Sequence, residues 1–288
     1  HRITEKQRSA INRATEPHTS NDEQRILRPL ELHKEGYSAE YRFIAPLLTL
    51  AVNVRGDDPL RPFIAQQFET IKKFVEEHKA NNPYLKEADK VELGDSFDKI
   101  GDYRNWHVTR VLTEGLLDDL IEDLKHPYES PAGHPLDPLV SAPETVAEIA
   151  TTLDLSEDSA RYFLQVLALT APTDASIREW NDWKKKDIDA AAAPLTDRGL
   201  LITAKRSGAG RTRFLPGGWL ESSAGEKGFE VWKAPLYLLW KDAKVRPIVR
   251  TCPPFTPLPQ LFSDAWARYQ NGDVPGYEEL RTQRYRRR

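Results

Sequence analysis

Seven of the eight basic residues between positions 184 and 213 are the residues best suited to bind a ligand in this sequence. Lysine and arginine contact the phosphates of nucleic acids, and such contacts supply the sequence-independent part of the affinity for DNA. We therefore expect a nucleic-acid-binding surface here; the alternative is a hairpin with ordinary solvated charges. The seven residues are Lys184, Lys185, Lys186, Lys205, Arg206, Arg211 and Arg213.

The formal net charge of the chain is only -3. The positions of the charges along the sequence are therefore more informative about binding than their sum. Residues 143–176 hold six acids against Arg161 alone, whereas residues 177–213 hold nine bases and five acids. Five more arginines lie in residues 281–288. Because the local field steers a polyanion more than the total charge does, we expect DNA to be contacted mainly by residues 184–213.

Three residues near the middle of the chain, His126, His134 and Asp137, have side chains that can bind zinc. Their spacing matches no usual zinc site, and Cys252 is the only cysteine. We interpret them as loop residues and expect neither a metal nor a cofactor.

Two further patterns do not support catalysis. The acids of residues 118–123 spread over the exposed face of a predicted helix, without the second group in an unlike environment that acid–base catalysis needs. Gly208-Ala209-Gly210 lacks the Lys-Ser or Lys-Thr that follows a phosphate-binding loop. We therefore expect that the protein is not an enzyme.

Two short amphipathic helices precede the basic segment. The first begins at Pro143, with Val146, Ile149, Ala150 and Leu153 on one face. The second begins after Ser156, a favourable N-cap, and carries Ala160, Phe163, Leu164 and Leu167. This order predicts a helix-turn-helix whose second helix, beginning at Glu157, is too acidic to approach the phosphates beside a DNA groove.

A third helix is predicted from Asp187 to about Arg198, followed by strands at 200–205 and 211–215. Helices followed by a hairpin give the winged-helix order. Pro194 lies inside the third helix, so we expect the helix to bend or stop near Ala193. Such a bend would turn the three lysines toward the hairpin and form one basic face; an unbroken helix would instead favour an interaction scaffold.

The hairpin segment also supports a resemblance. The runs Gly210–Trp219 and Ser156–Tyr162 resemble an actinobacterial group labelled as DNA-binding proteins, and the similarity extends over residues 143 to about 280. The resemblance implies a winged-helix-type module that binds DNA.

The sequence pattern of the first half of the chain predicts helices. Ile64, Phe68, Ile71 and Val75 form one apolar stripe, and a second helix is predicted between Asn105 and Lys125. The apolar run Phe43–Val54 is shorter than the roughly twenty residues of a membrane span, so we expect a buried core segment. Without a membrane span or a secretory signal, and with one cysteine, we expect a cytoplasmic protein.

The predicted fold class is mostly α with a minor β part. We expect a helical N-terminal region (1–126), a proline-rich linker (127–142), a winged-helix-like module (143–222) and a C-terminal segment with a basic tail (223–288) that packs on the module through its tryptophans. The predicted function is a nucleic-acid-binding or regulatory protein with duplex DNA as partner. The alternative is a protein-interaction scaffold in which the winged helix is structural.

Overall fold

In the computed structural model, the described residues are 39–78, 110–126, 128, 133–220, 228–237, 239–241, 245–247 and 252–276. They are mostly helical, which confirms the predicted class. The chain folds into two compact units. The first unit comprises residues 1–141 and 237–261, and the second comprises residues 142–236 and 262–288. The predicted C-terminal segment is therefore not one piece packed on the module, because residues 237–261 belong to the first unit.

The first unit is built around helices α1 (Ala39–Ala51), α2 (Leu60–His78) and α3 (Asp118–Lys125). Helix α2 packs against both of the others. Its predicted apolar stripe is buried in one core with the apolar side chains of α1 and with Phe255. No helix in the described part of the chain is long and apolar enough to cross a membrane.

The second half of the predicted linker is structured rather than free. Residues Pro138–Ser141 form a short helix, α4, and His134, Leu136 and Asp137 are buried. The His134 Nδ1 atom accepts a hydrogen bond from the Leu136 amide at 3.1 Å, and the Asp137 carboxylate accepts one from the Leu139 amide at 3.0 Å. Both side chains therefore stabilise this turn. Residues 127 and 129–132 of the predicted linker lie outside the described residues.

The second unit begins with α5 (Pro143–Thr152) and α6 (Glu157–Ala168), where the sequence predicts them. The Ser156 hydroxyl caps α6 by accepting a hydrogen bond from the Ser159 amide at 3.2 Å. A helix that we did not predict, α7 (Asp174–Asn181), comes next. It has few apolar residues, and Ile177 is its one buried hydrophobic side chain.

Helix α8 (Lys185–Asp197) continues through Pro194, so the predicted stop near Ala193, the alternative to a bend, is wrong. Proline lacks a backbone donor, so Pro194 removes the bond that the Ala190 carbonyl would accept within a regular helix. The Pro194 carbonyl accepts from the Arg198 amide at 3.2 Å, and the buried Leu195 anchors the last turn.

The strands form three two-stranded antiparallel sheets within the described residues. Strands β1 (Ile202–Thr203) and β2 (Arg213–Phe214) make the predicted hairpin, with Thr203 opposite Arg213, although both are shorter than expected. Strand β3 (Trp219–Leu220) pairs with β4 (Phe229–Glu230), and a 3-10 helix (Val231–Leu236) follows. In the first unit, β5 (Leu239–Lys241) pairs with β6 (Val245–Pro247). These last two pairings were not predicted.

The last described helix, α9, spans Leu258–Gln270. Within the second unit, Phe262, Ala265 and Trp266 are buried on it. Of the tryptophans expected to pack the C-terminal segment on the module, Trp266 and Trp232 are buried, at 2% and 6% exposed.

Candidate nucleic-acid interface

Helix α6, which a helix-turn-helix would present to DNA, lies in the interior of the second unit. Every residue from Ser159 to Ala168 is buried, and the helix packs against α5, α8 and the 3-10 helix. A helix that enters a DNA groove must expose one face with polar side chains. Between Ser159 and Ala168 helix α6 exposes no such face, so its burial, as well as its predicted acidity, argues against contact with a DNA groove.

The polar side chains of α6 bond to the end of α7 instead. Arg161 donates to the Asn181 carbonyl at 3.3 Å, and its guanidinium lies 4.9 Å from the centre of the Trp183 ring. Gln165 and Asn181 form a reciprocal amide pair at 2.8 and 2.9 Å. These bonds satisfy buried polar groups and fix α7 on α6.

Arg211 is not a surface residue, which corrects its prediction as a phosphate contact. Its side chain is 1% exposed, and its Nη2 lies 2.9 Å from the Glu230 carboxylate, which is equally buried. A second guanidinium nitrogen donates to the Arg213 carbonyl at 2.7 Å. A phosphate cannot reach this guanidinium without disrupting the packing around it.

Lys233 completes this buried ionic network. Its ammonium lies 2.9 Å from the Glu230 carboxylate and donates to the Leu169 carbonyl at the C-terminal end of α6. The same carboxylate accepts from the Leu215 amide at 3.3 Å. The network holds two bases and one acid, and the negative end of the α6 dipole compensates part of the excess positive charge.

The environment changes the pKa values of Glu230 and Lys233. Burial alone would raise the pKa of Glu230, but the charges of Lys233 and Arg211 outweigh it and lower the pKa to about 2. Burial lowers the pKa of Lys233 to about 8, and the positive charge of Arg211 acts in the same direction while Glu230 opposes it. The carboxylate is therefore held ionised, whereas the ammonium loses its proton more easily than an exposed lysine does.

Two more of the seven predicted residues share one carboxylate. Asp189 on α8 lies 2.6 Å from the Lys185 ammonium and 2.9 Å from the Arg213 guanidinium. The hydrogen bond from Lys185 has the largest effect and lowers the pKa of Asp189; burial opposes it, and the hydrogen bond from Arg213 adds to the lowering. The structure thus joins α8 to the hairpin through an acid that neutralises part of the charge of Lys185 and Arg213.

Arg206 stacks on aromatic rings. Its guanidinium carbon lies 5.0 Å from the centre of the Phe214 ring and 4.7 Å from that of Trp219. It also approaches the Gly217 carbonyl at 3.4 Å. The half-buried side chain is therefore held by cation–π contacts and is not extended into solvent.

Three of the seven predicted bases remain on the surface without an ion pair among the described residues. They are Lys184 and Lys186 at the start of α8 and Lys205 in the hairpin loop, and all three are exposed. They are the members of the predicted set that are accessible to a phosphate.

The exposed charges of the second unit are predominantly acidic. In its described part, ten acids and six bases are exposed. Arg161, Arg211 and Lys233 are buried, whereas Glu230 is the one buried acid among the residues described in this unit. The exposed acids are Glu144, Glu148, Asp154, Glu157, Asp158, Glu179, Asp182, Asp197, Asp264 and Asp273, and the exposed bases are Arg178, Lys184, Lys185, Lys186, Arg198 and Lys205.

Sequence reasoning missed Glu230, Lys233 and Asp189, the residues that engage the predicted bases. The spacing of Glu230 and Lys233, three residues apart among aromatic side chains, was an available signal. Asp189 lies one turn after Lys185 on a predicted helix, which is the usual spacing of a helical ion pair.

The described chain thus belongs to the class of mostly helical proteins with small antiparallel sheets. The chain matches no family model, no curated protein and no solved structure. Its resemblance to the actinobacterial group therefore stays a prediction.

Proposed function

We propose that the second unit is a winged-helix-type module that acts as a protein-interaction scaffold. The order of α5, α6, α8 and the β1–β2 hairpin supports the winged-helix assignment. Helix α8 directly precedes the hairpin, and its residues Ile188, Ala191, Ala192 and Leu195 face the interior.

The observation that carries the scaffold proposal is the location of the bases. A DNA-binding surface draws its affinity from lysines and arginines that neutralise phosphates and release counterions. Here Arg211 is buried, Lys185 and Arg213 share Asp189, and Arg206 stacks on aromatic rings. The exposed surface that remains has more acids than bases. Such a surface repels a polyanion and attracts a partner with complementary positive charge.

Helix α5 offers a face for such a partner. Glu144, Ala147, Glu148 and Thr151 are exposed at the spacing of one helical face. The Glu148 carboxylate accepts a hydrogen bond from Gln270 at 2.7 Å, which places the end of α9 beside this face. The interaction surface of the scaffold therefore includes α5.

A photo-crosslinking residue tests the proposal in the whole 288-residue chain. Placed at Ala147, it is expected to capture a protein, and the capture should weaken when Glu144 and Glu148 are replaced by glutamine. The matched control is the same residue at Ala190, which is exposed on α8 beside the lysines. Equal capture at both positions, or capture at Ala147 unaffected by the two substitutions, would contradict the scaffold.

Duplex DNA is the second candidate, and the exposed Lys184, Lys186 and Lys205 favour it. Three phosphate contacts give a slope of about -3 for the logarithm of affinity against the logarithm of salt concentration. Fluorescence anisotropy with a labelled duplex at two salt concentrations measures this slope. The scaffold proposal expects no binding at low salt; binding lost on replacing the three lysines by alanine, but kept in Arg178→Ala, would establish DNA as the ligand instead.

A further inference from the structure

The second unit presents acids without exposed bases along α5 and α6. Between Pro143 and Ala168 five acids are exposed, whereas Arg161, the one base of this stretch, is buried. Two of the five acids, Glu144 and Glu148, lie on the exposed face of α5. This face therefore carries a negative charge that a cationic segment can neutralise.

The chain itself contains a segment of matching charge. Residues 281–288 hold five arginines and no acid, and they follow the last described residue, Gly276, by a few positions. The five arginines equal in number the five exposed acids of residues 143–168. Arginine is also suited to such a pairing, because its planar guanidinium can donate two parallel hydrogen bonds to one carboxylate.

The point at which this segment leaves the second unit is fixed by contacts after α9. The Trp232 indole donates to the Asp273 carbonyl at 2.9 Å, and its ring centre lies 4.2 Å from the Arg268 guanidinium carbon. Arg268 donates to the Asp273 carboxylate at 2.9 Å and to the Trp232 carbonyl at 2.8 Å. The Gly276 carbonyl then lies so close to Gly217 that a β-carbon there would meet it at 2.5 Å. The chain is thus held against the second unit up to Gly276.

The end of α9 also lies beside the acidic face of α5. The Gln270 amide donates to the Glu148 carboxylate at 2.7 Å, six residues before Gly276. Six extended residues span at most about 22 Å, and the path of residues 270–276 shows that a route of this length runs between the two points. Eight residues separate Gly276 from Arg284 and span up to about 28 Å. Arg284 and the three arginines after it can therefore reach Glu148.

We propose that residues 281–288 bind in cis to the exposed face of α5, where their guanidinium groups pair with the carboxylates of Glu144 and Glu148. The inference rests on the proposed function, because the segment then occupies the face that the scaffold offers to a positively charged partner. A partner has to displace the segment in order to bind. Ion pairs on an exposed face are screened by salt, so the contact is reversible and weakens as the ionic strength rises.

A photo-crosslinking residue at Ala147 tests the contact in the purified 288-residue chain, without any partner. We expect a cross-link to residues 281–288, identified by peptide mass spectrometry, that is lost when the five arginines are replaced by glutamine. The matched control is the same photo-crosslinking residue at Ala190, which is exposed on α8 and should give no such cross-link. No cross-link from Ala147, or equal yields at both positions, would overturn the proposal.

An equimolar mixture of 15N-labelled and unlabelled chains shows whether the cross-linked segments belong to one molecule. Cross-links within one isotopic form are expected. Cross-links that join the two forms as often as chance allows would place the segment on a second copy of the chain and overturn binding in cis.

A fluorescent peptide with the sequence of residues 281–288 is the second probe, and fluorescence anisotropy measures its binding. The variant with five glutamines should bind the peptide, and adding Glu144→Gln and Glu148→Gln should weaken that binding. A short tether gives an effective concentration in the millimolar range, so a peptide with a Kd of about 0.1 mM should bind the unmodified chain about tenfold more weakly than the variant. Equal binding to both would overturn the proposal. Because these measurements need no partner, their failure would leave the scaffold proposal standing, and failure to capture a partner would leave this inference standing.

Discussion

Arg211 and Glu230 form an ion pair with 2.9 Å between Nη2 and Oε2, and each side chain is 1% exposed. Arg211 begins the second half of the hairpin, whereas Glu230 ends β4. A further Arg211 nitrogen donates to the Arg213 carbonyl, and the Glu230 carboxylate also accepts from the Leu215 amide and pairs with Lys233. The pair therefore holds the hairpin to β4 and the 3-10 helix.

Replacing Arg211 should therefore destabilise the protein. Arg211→Ala leaves the Glu230 carboxylate buried with one partner fewer, and breaking a buried pair in this way costs about 3–5 kcal/mol. Lys205→Ala, which removes an exposed base of the same hairpin, should change the free energy of unfolding by no more than about 0.5 kcal/mol. Urea unfolding measures both, and equally small effects would contradict the structural role of Arg211.

Acid should weaken the same network through Glu230. The pKa of Glu230 is lowered from 4.5 to about 2, so the unfolded state takes up the proton first. Its contribution to stability is fully present above pH 4.5 and is lost as the pH falls toward 2. The side-chain carboxyl 13C shift of Glu230 reports this ionisation directly, and a midpoint near 4.5 would contradict the prediction.

Alkali should have the opposite effect through Lys233. The pKa of Lys233 is lowered from 10.5 to about 8, so between these values the unfolded state holds a proton that the folded state has released. Stability should therefore rise with pH over this interval. The measurement is the unfolding free energy at about pH 7.5 and about pH 9.5 relative to Lys233→Met, which does not titrate at this position. A falling difference would show that the ammonium form is the more stabilising one.

Pro194→Ala should stabilise the second unit. The substitution restores the backbone donor to the Ala190 carbonyl within α8, and an interior proline costs a helix up to about 3 kcal/mol relative to alanine. Pro143→Ala is the matched control, because Pro143 is the first residue of α5, where the missing donor has no partner in the helix. Thermal unfolding compares the two; a gain in the control as large as in Pro194→Ala would exclude the proposed cause.

Cleavage in the proline-rich stretch should not release an independent C-terminal piece. Residues 237–261 belong to the first unit, and Phe255 lies in its core. After limited proteolysis near residues 129–132, the two fragments should therefore elute together from a size-exclusion column under native conditions. Separate elution of a folded C-terminal fragment would favour the linear domain order that the sequence predicts.

The sequence by itself determined α2, α5, α6 and α8, whereas the helix predicted between Asn105 and Lys125 is interrupted by a turn at residues 114–117, before α3. The stripe of Ile64, Phe68, Ile71 and Val75 became the buried face of α2, and Ser156 became the N-cap of α6. Both signals are local. The apolar stripe of a helix repeats every three or four residues, and an N-cap side chain bonds to a backbone amide about three residues further along the chain.

Only the tertiary structure decided which basic side chains are exposed and which are held by other groups. Arg211 and Glu230 are 19 residues apart in sequence, and no periodicity indicates that they meet, because the partner of a buried charge is set by how distant segments pack. The local rule also failed at Pro194, where the position in the last turn and the burial of Leu195 outweighed the propensity of proline to end a helix. Charge composition shows how many bases a chain has, whereas packing decides which of them reach solvent.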